Sequence, residues 1–185
     1  MDIVTAQREM CRRFLGGFYG QFVSGVLWLV SAGFATWSTP RHAILALVIG
    51  GFFIFPVTEL LIRISGSTNR LSRDNLLPQL GMQVAFVLPL SMPLLVPVTR
   101  YHLHWFYPAM MILVGAHYLP FVFLYGMRMF AVLCAMLLVP GMMIAFSWSE
   151  HFAIGAWYTG TVLLMFAAIG KAFVRLETRS AIHTS

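Results

Sequence analysis

The stretch YHLHWFYPAMMILVGAHYLPFVFLYGMRMFAVLCAMLLVPGMMIAFSWS, residues 101–149, contains one charged side chain, Arg128, near its middle. On either side of Arg128 lies an apolar run long enough to cross a hydrocarbon core as a helix, which takes about 20 residues. A chain in lipid must satisfy its own backbone polar groups, and a single apolar segment does so only as a helix. The same pattern continues outward. Charge-free runs cover 14–40, 75–99 and 152–170, and the run 42–62 is broken only by Glu59. The expected fold is an all-α transmembrane bundle of six helices, with spans near 14–37, 42–63, 77–98, 104–127, 129–148 and 152–174. The longest polar connection, between Arg63 and Asn75, is too short to fold alone, so residues 1–185 read as a single integral membrane domain.

Composition excludes the soluble classes. The chain is 59% hydrophobic and 10% charged, with a mean hydropathy of +0.82, whereas soluble domains are about 25% charged. A net charge of +6 would suggest nucleic acid in a soluble protein. Here the basic residues flank the spans, and topology and anionic headgroups account for them. Arg8, Arg12, Arg13, Arg63, Arg70, Arg73, Arg128, Lys171, Arg175 and Arg179 fall on one side of the six-span arrangement, and only Arg41 and Arg100 on the other. By the positive-inside rule both termini are expected in the cytoplasm. Trp37, Tyr101, Trp105, Tyr107 and Trp148 gather at the predicted outer ends, where amphipathic rings favour the interface. Arg12-Arg13 and the apolar run after it resemble an export signal, but the run is too long and five more spans follow, so a retained first helix is expected. Cys11 and Cys134 offer neither a disulfide framework nor metal spacing.

Prolines mark the spans unevenly. Pro89, Pro93 and Pro97 predict a kinked or partly irregular third span, inside the bundle or at its rim. Gly51-x4-Pro56 in the second span is echoed by Gly115-x4-Pro120 in the fourth, which raises the question of a parallel repeat. Gly115-Ala-His117-Tyr118-Leu-Pro120-Phe121 with Leu124-Tyr125 resembles the signature helix of a family of uncharacterised bacterial multi-pass membrane proteins. Gly51 through Phe55-Pro56, and Ser72-x-Asp74-Asn75 leading to Leu80-Gly81, are similar to that family's other landmarks. The resemblance implies a bacterial origin and an architecture of about six helices, and singles out His117, Pro120, Tyr125, Asp74 and Asn75. It implies no activity.

Polar side chains within spans are the candidate functional residues, because ionisable groups in lipid are costly and face the bundle interior. Glu59 is the only acid in a span, and Arg63 follows four residues later on the same helix face, so an ion pair is expected. The plain reading is a structural pair with Arg63 reaching the headgroups; the sharper one is a proton or cation site. Gln21, Gln79 and Gln83 lie at a similar depth, with Tyr19, Tyr125 and Arg128 in reach. They form either a pocket around Glu59 or interhelical hydrogen-bond glue. His117 falls near the middle of the fourth span and needs polar partners, as a packed residue or as a ligand contact facing an internal cavity. His42, His102, His104, Glu150 and His151 collect at the outer face, where interfacial histidines without metal are the plainer reading.

No His-Glu-x-x-His, Gly-x-Ser-x-Gly, Walker loop or dinucleotide glycine fingerprint occurs. The leading expectation is an inner-membrane protein that binds and transports a small molecule or ion, with Glu59, His117, Gln21, Gln83, Tyr125 and Arg63 as ligand-binding residues and no cofactor. The alternatives are a membrane enzyme acting on a lipid or isoprenoid, with His117 and Glu59 as acid and base, and a non-catalytic assembly or stress protein. Membrane lipids and the ligand are the expected partners, self-association into a homo-oligomer is open, and nucleic acid is not expected.

Overall fold

The structure, a computed structural model, describes residues 1–65, 71–147 and 151–183, and the side chains of these except 175 and 177–183. Arg70, Trp148 and Glu150, and the side chains of Arg175 and Arg179, therefore lie outside the described residues. The described part is helical and contains no strand. Six of its helical segments are long and apolar enough to cross a membrane: Ile3–Trp37, Pro40–Ile64, Leu77–Tyr101, Leu103–Tyr125, Met129–Ser147 and Ile154–Val174.

The first segment is two helices. Helix α1 (Ile3–Phe14) starts on Asp2, whose carboxylate accepts from the Thr5 amide at 3.0 Å and hydroxyl at 2.6 Å. It ends where Leu15, Gly16 and Gly17 take φ of 48°, 61° and 81° in succession. Two of these three left-handed positions are glycine, which has no Cβ to clash there. The turn redirects the chain into α2 (Phe18–Trp37). Ala6, Met10 and Cys11 of α1 share one helical face and are buried, while Arg8 and Arg12 are exposed. Thus α1 is an amphipathic helix laid across one end of the bundle, where the sequence reading had only a polar flank. It is tied down by long-range hydrogen bonds. Gln7 Nε2 donates to the Phe123 carbonyl at 2.6 Å, and Cys11 Sγ to the Tyr125 carbonyl at 3.0 Å. Asn75 Nδ2 donates to the Ala6 carbonyl at 3.1 Å and to Glu9 Oε2 at 3.0 Å.

The second span, α3 (Pro40–Ile64), has Thr39 as N-cap and Pro40 in its first turn, and runs unbroken through Pro56. The third bends as its prolines predict, into α4 (Leu77–Ser91), a tight turn at Met92–Leu94 and α5 (Leu95–Tyr101). It lies at the rim, with Phe86, Val87, Leu90 and Leu94 exposed. The fourth divides at Pro120 into α6 (Phe106–Tyr118) and α7 (Phe121–Tyr125). Proline has no N–H to offer the Ala116 carbonyl, and the Leu119 amide takes that acceptor at 3.2 Å instead. α8 (Met129–Ser147) and α9 (Ile154–His183) complete the chain. The two Gly-x4-Pro segments differ locally: α3 stays continuous at Pro56, whereas the fourth span breaks at Pro120.

Two layers build the bundle. α2 lies between α3 and α9, and α6 packs along α8 and also meets α4 and α5. Glycines set the close crossings. A Cβ at Gly25 would lie 3.1 Å from the Gly160 carbonyl, and one at Gly115 would lie 3.1 Å from the Cys134 carbonyl. Small residues drive helix association in lipid by letting backbones approach, because apolar burial gives no advantage over acyl chains. Toward the end away from α1, the layers are pinned by a buried polar contact. Ser31 Oγ donates to the Ala43 carbonyl at 2.8 Å and lies 2.6 Å from the Tyr107 hydroxyl. α9 closes one edge of the two layers against α6 and α8. At the other edge, α3 is packed extensively on α2 alone.

Candidate functional site

Between α3 and α4, over a floor made by α2 and α6, lies a cavity of about 610 Å³. Met10 and Phe14 of α1 help close its end. Helical spacing explains its walls. Gln21, Ser24 and Trp28 recur at three- and four-residue steps along one face of α2, and Gly51, Phe55, Thr58 and Glu59 do so along α3. Most of the lining is apolar, from Leu47, Leu88, Met92 and Met110 among others. The polar members are Gln21, Ser24, Thr58, Glu59, His117, Tyr118 and Tyr125. A second cavity of about 490 Å³ shares Phe52, Pro89 and Met92 with the first and continues to Thr99 and Arg100.

Four of the six residues expected to form a site thus lie in one wall system: Gln21, Glu59, His117 and Tyr125. The other two do not. Gln83 is exposed on α4, one residue before the buried Val84, and is not part of the cavity wall. Arg63 is also exposed, and its expected pairing with Glu59 is corrected. Arg13 of α1 reaches Glu59 instead, Nη2 to Oε2 at 3.4 Å, with both side chains about one-fifth exposed. The i,i+4 spacing allowed the Arg63 pair, but α1 folds back over this end of the bundle and brings a competing guanidinium. At 3.4 Å the contact is longer than the 2.7–2.9 Å typical of charge-assisted hydrogen bonds. A double-mutant cycle of Glu59→Gln and Arg13→Gln should give a coupling of about 0.5–1 kcal/mol, as for partly exposed pairs. The cycle with Arg63→Gln should be additive. Thermal unfolding in detergent measures both, and coupling to Arg63 rather than Arg13 would contradict the geometry.

The hydrogen-bonding state of the wall is its most informative property. Gln21 is 2% exposed, yet neither of its amide atoms has a partner among the described residues. Thr58 Oγ1 and His117 Nδ1 are also buried without a partner. Buried polar groups are usually satisfied. His104 Nδ1 and Thr159 Oγ1, away from the cavity, also have no partner among the described residues, and what sets Gln21, Thr58 and His117 apart is that all three belong to one cavity wall. The His117 ring packs on Tyr118 and Phe121 at 5.8 and 5.2 Å between centroids, with the Val84 carbonyl beside it. Tyr118 has the Ser24 side chain next to its hydroxyl. Tyr125 and Phe121 stack at 5.8 Å, and Tyr125 and Phe130 at 5.4 Å, giving the site an aromatic side. Sequence reasoning missed Ser24 and Thr58, although the α2 and α3 spacings above place both on the cavity faces.

Residues 3–171 match the profile of a family described as "Family of unknown function (DUF7010)". The chain belongs to that family. A family of unknown function and about six apolar helices are what the resemblance implied. No curated protein and no solved structure matches the chain. The family assignment therefore leaves the chemistry of the cavity to be argued from its own residues.

Among the described residues, no group of three His, Cys, Asp or Glu side chains is placed to hold a metal ion. His42 Nδ1 lies 2.9 Å from Ser38 Oγ, His102 and His104 pack ring to ring at 5.7 Å, and Glu150 lies outside the described residues. Cys11 is buried in its contact with Tyr125 and Cys134 is half-buried in α8, apart from the cavity.

Proposed function

We propose that this multi-pass membrane protein binds an amphipathic small molecule taken from the bilayer and moves it through the groove between α3 and the third span. The observation that carries this reading is the shape and chemistry of the main cavity. It has the 300–1,000 Å³ of a small-molecule site, lies between the two lipid-facing helices α3 and α4, and is apolar except for a polar group toward α1. An ion is a poorer fit, because the one acid in the wall already faces Arg13. The adjoining cavity toward Arg100 supports passage along the same groove. The same opening favours a second reading, an enzyme acting on a lipid or isoprenoid, with Glu59 and His117 in one wall. The basic asymmetry of the loops supports a bacterial inner membrane with both termini cytoplasmic. A reporter fused to the C-terminus that reads periplasmic would overturn that topology.

Trp28 provides the test, since it is 2% exposed and lines the cavity. In nanodiscs, a variant retaining only this tryptophan should be quenched by a brominated single-chain amphipath that enters the cavity. Gly51→Leu should abolish the quenching without unfolding the protein. A Cβ at Gly51 meets only Met92 Cε, at 3.7 Å, so the larger side chain fills space rather than clashing, and leucine is the better helix former. Quenching that persists unchanged in Gly51→Leu would exclude this cavity as the binding place.

A further inference from the structure

Resting on that reading, we propose that the ligand is an uncharged lipid with a compact hydroxyl- or carbonyl-bearing head, which docks against Gln21, Thr58 and His117. The unpartnered atoms define the head. Gln21 offers a donor and an acceptor, Thr58 a hydroxyl that does both, and His117 Nδ1 one or the other according to tautomer. All three belong to the wall of one cavity, come from three different helices, and carry a buried atom without a partner among the described residues. None of the three is a fixed charge. Among the described residues, the only acid in the wall is Glu59, which has Arg13 against it, and no Lys or Arg lines the cavity. A phosphate or carboxylate head would thus be buried without a counter-cation, and burying an unpaired charge is strongly unfavourable. A quaternary ammonium head would have to compete with Arg13 for Glu59 and would leave the unpaired donors unsatisfied. A hydroxyl or carbonyl head meets the donors and acceptors without bringing charge. The aromatic side formed by Tyr118, Phe121, Tyr125 and Phe130 gives a compact head a surface to pack on.

The position of the polar atoms also sets the ligand's orientation. They lie toward the α1 end, while Leu47, Leu88 and Met92 continue the cavity as apolar wall toward the second one. A lipid of the leaflet at the α1 end already has its head at that end and its tail toward the midplane. It can therefore slide in between α3 and α4 without turning over. The unpartnered atoms of Gln21, Thr58 and His117 are covered by the wall, so docking of the head requires side-chain rotations that turn them toward it.

Matched probes in the Trp28 quenching assay test this directly: one brominated tail carrying an alcohol, a phosphate or a trimethylammonium head, titrated into the single-tryptophan protein in nanodiscs. The alcohol should bind at least about tenfold more tightly than either charged probe. Gln21→Leu should weaken the alcohol about tenfold, the scale of one lost buried hydrogen bond, and should leave a headless bromoalkane unchanged. Equal or tighter binding of the phosphate or the trimethylammonium probe, or an alcohol affinity insensitive to Gln21→Leu, would overturn the head-group assignment while leaving the cavity as a lipid site. Absence of quenching by every probe would overturn the site itself.

Discussion

Gly160→Val is expected to cost at least about 2–3 kcal/mol of stability, the upper part of the range for overpacking a tight core. A Cβ at Gly160 would lie 2.6 Å from Leu29 Cδ2, 2.8 Å from Leu29 Cγ and 3.1 Å from the Gly25 carbonyl. Leu29 has some freedom to rotate, but the Gly25 carbonyl belongs to the backbone of α2 and cannot yield without moving the helix. The reciprocal contact is equally close. A Cβ at Gly25 would sit 2.9 Å from Leu164 and 3.1 Å from the Gly160 carbonyl. The α2–α9 crossing is one of the three extensive helix pairings of the fold, and α2 also forms the floor of the cavity. Separating these helices should therefore loosen the site as well as the bundle. Gly20→Ala is the control. Nothing lies within 4 Å of a Cβ there, and alanine is favoured over glycine in a helix by about 1 kcal/mol, so this variant should be neutral or slightly more stable. Unfolding in mixed micelles ranks the two. Equal stability of Gly160→Val and Gly20→Ala would show that the close approach does not hold α2 to α9.

The six spans were legible because lipid imposes a simple rule, and runs such as 129–149 obey it without exception. What the rule does not supply is azimuth. Gln21 and Gln83 were both placed by depth, and depth alone cannot tell an inward from an outward face. One residue of rotation is about 100° on a helix, and it separates the buried Val84 from the exposed Gln83. The weak amphipathicity of a lipid-facing helix gives little to decide between them, since its outer face is as apolar as its inner one. α1 was hidden for the opposite reason. Arg8, Glu9, Arg12 and Arg13 dominate its composition, and the period set by Ala6, Met10 and Cys11 is only three residues deep. Once α1 is read as a polar flank, Arg13 has no reason to meet Glu59, and Arg63 is the nearest partner the chain offers. The convergence of Gln21, Glu59, His117 and Tyr125 was foreseeable in part. Polar groups of similar depth avoid lipid by turning toward each other, but which of them find partners depends on packing that no local pattern encodes.

Gln21→Leu is expected to raise the stability of the protein in the absence of ligand, by about 1–3 kcal/mol, the opposite sign to most buried substitutions. Both Gln21 Nε2 and Oε1 are buried without a partner among the described residues, and a buried polar group left unsatisfied costs about 1–3 kcal/mol relative to an apolar one of similar shape. Leucine removes both atoms, changes the volume little and is an equally good helix former. Ser31→Ala is the informative contrast. That side chain is fully buried too, but its hydroxyl donates to the Ala43 carbonyl at 2.8 Å and meets the Tyr107 hydroxyl at 2.6 Å. Removing it deletes one bond to the Ala43 carbonyl and leaves the buried Tyr107 hydroxyl only the longer contact to the Ser31 carbonyl at 3.4 Å, and should destabilise by about 1 kcal/mol. The two substitutions delete polar atoms of the same helix, three turns of chain or less apart, and are expected to move stability in opposite directions. That divergence separates glutamine as interhelical glue from glutamine held in readiness for a ligand. Glue is satisfied within the bundle, so its loss weakens the fold, as for Ser31. A residue left unsatisfied by the bundle itself is stabilising only when something else supplies the missing hydrogen bonds. Denaturant titration of the two variants, in detergent free of added lipid, decides it. A loss of stability in Gln21→Leu comparable to that in Ser31→Ala would assign Gln21 to the packing of the bundle and remove the centre of the proposed site.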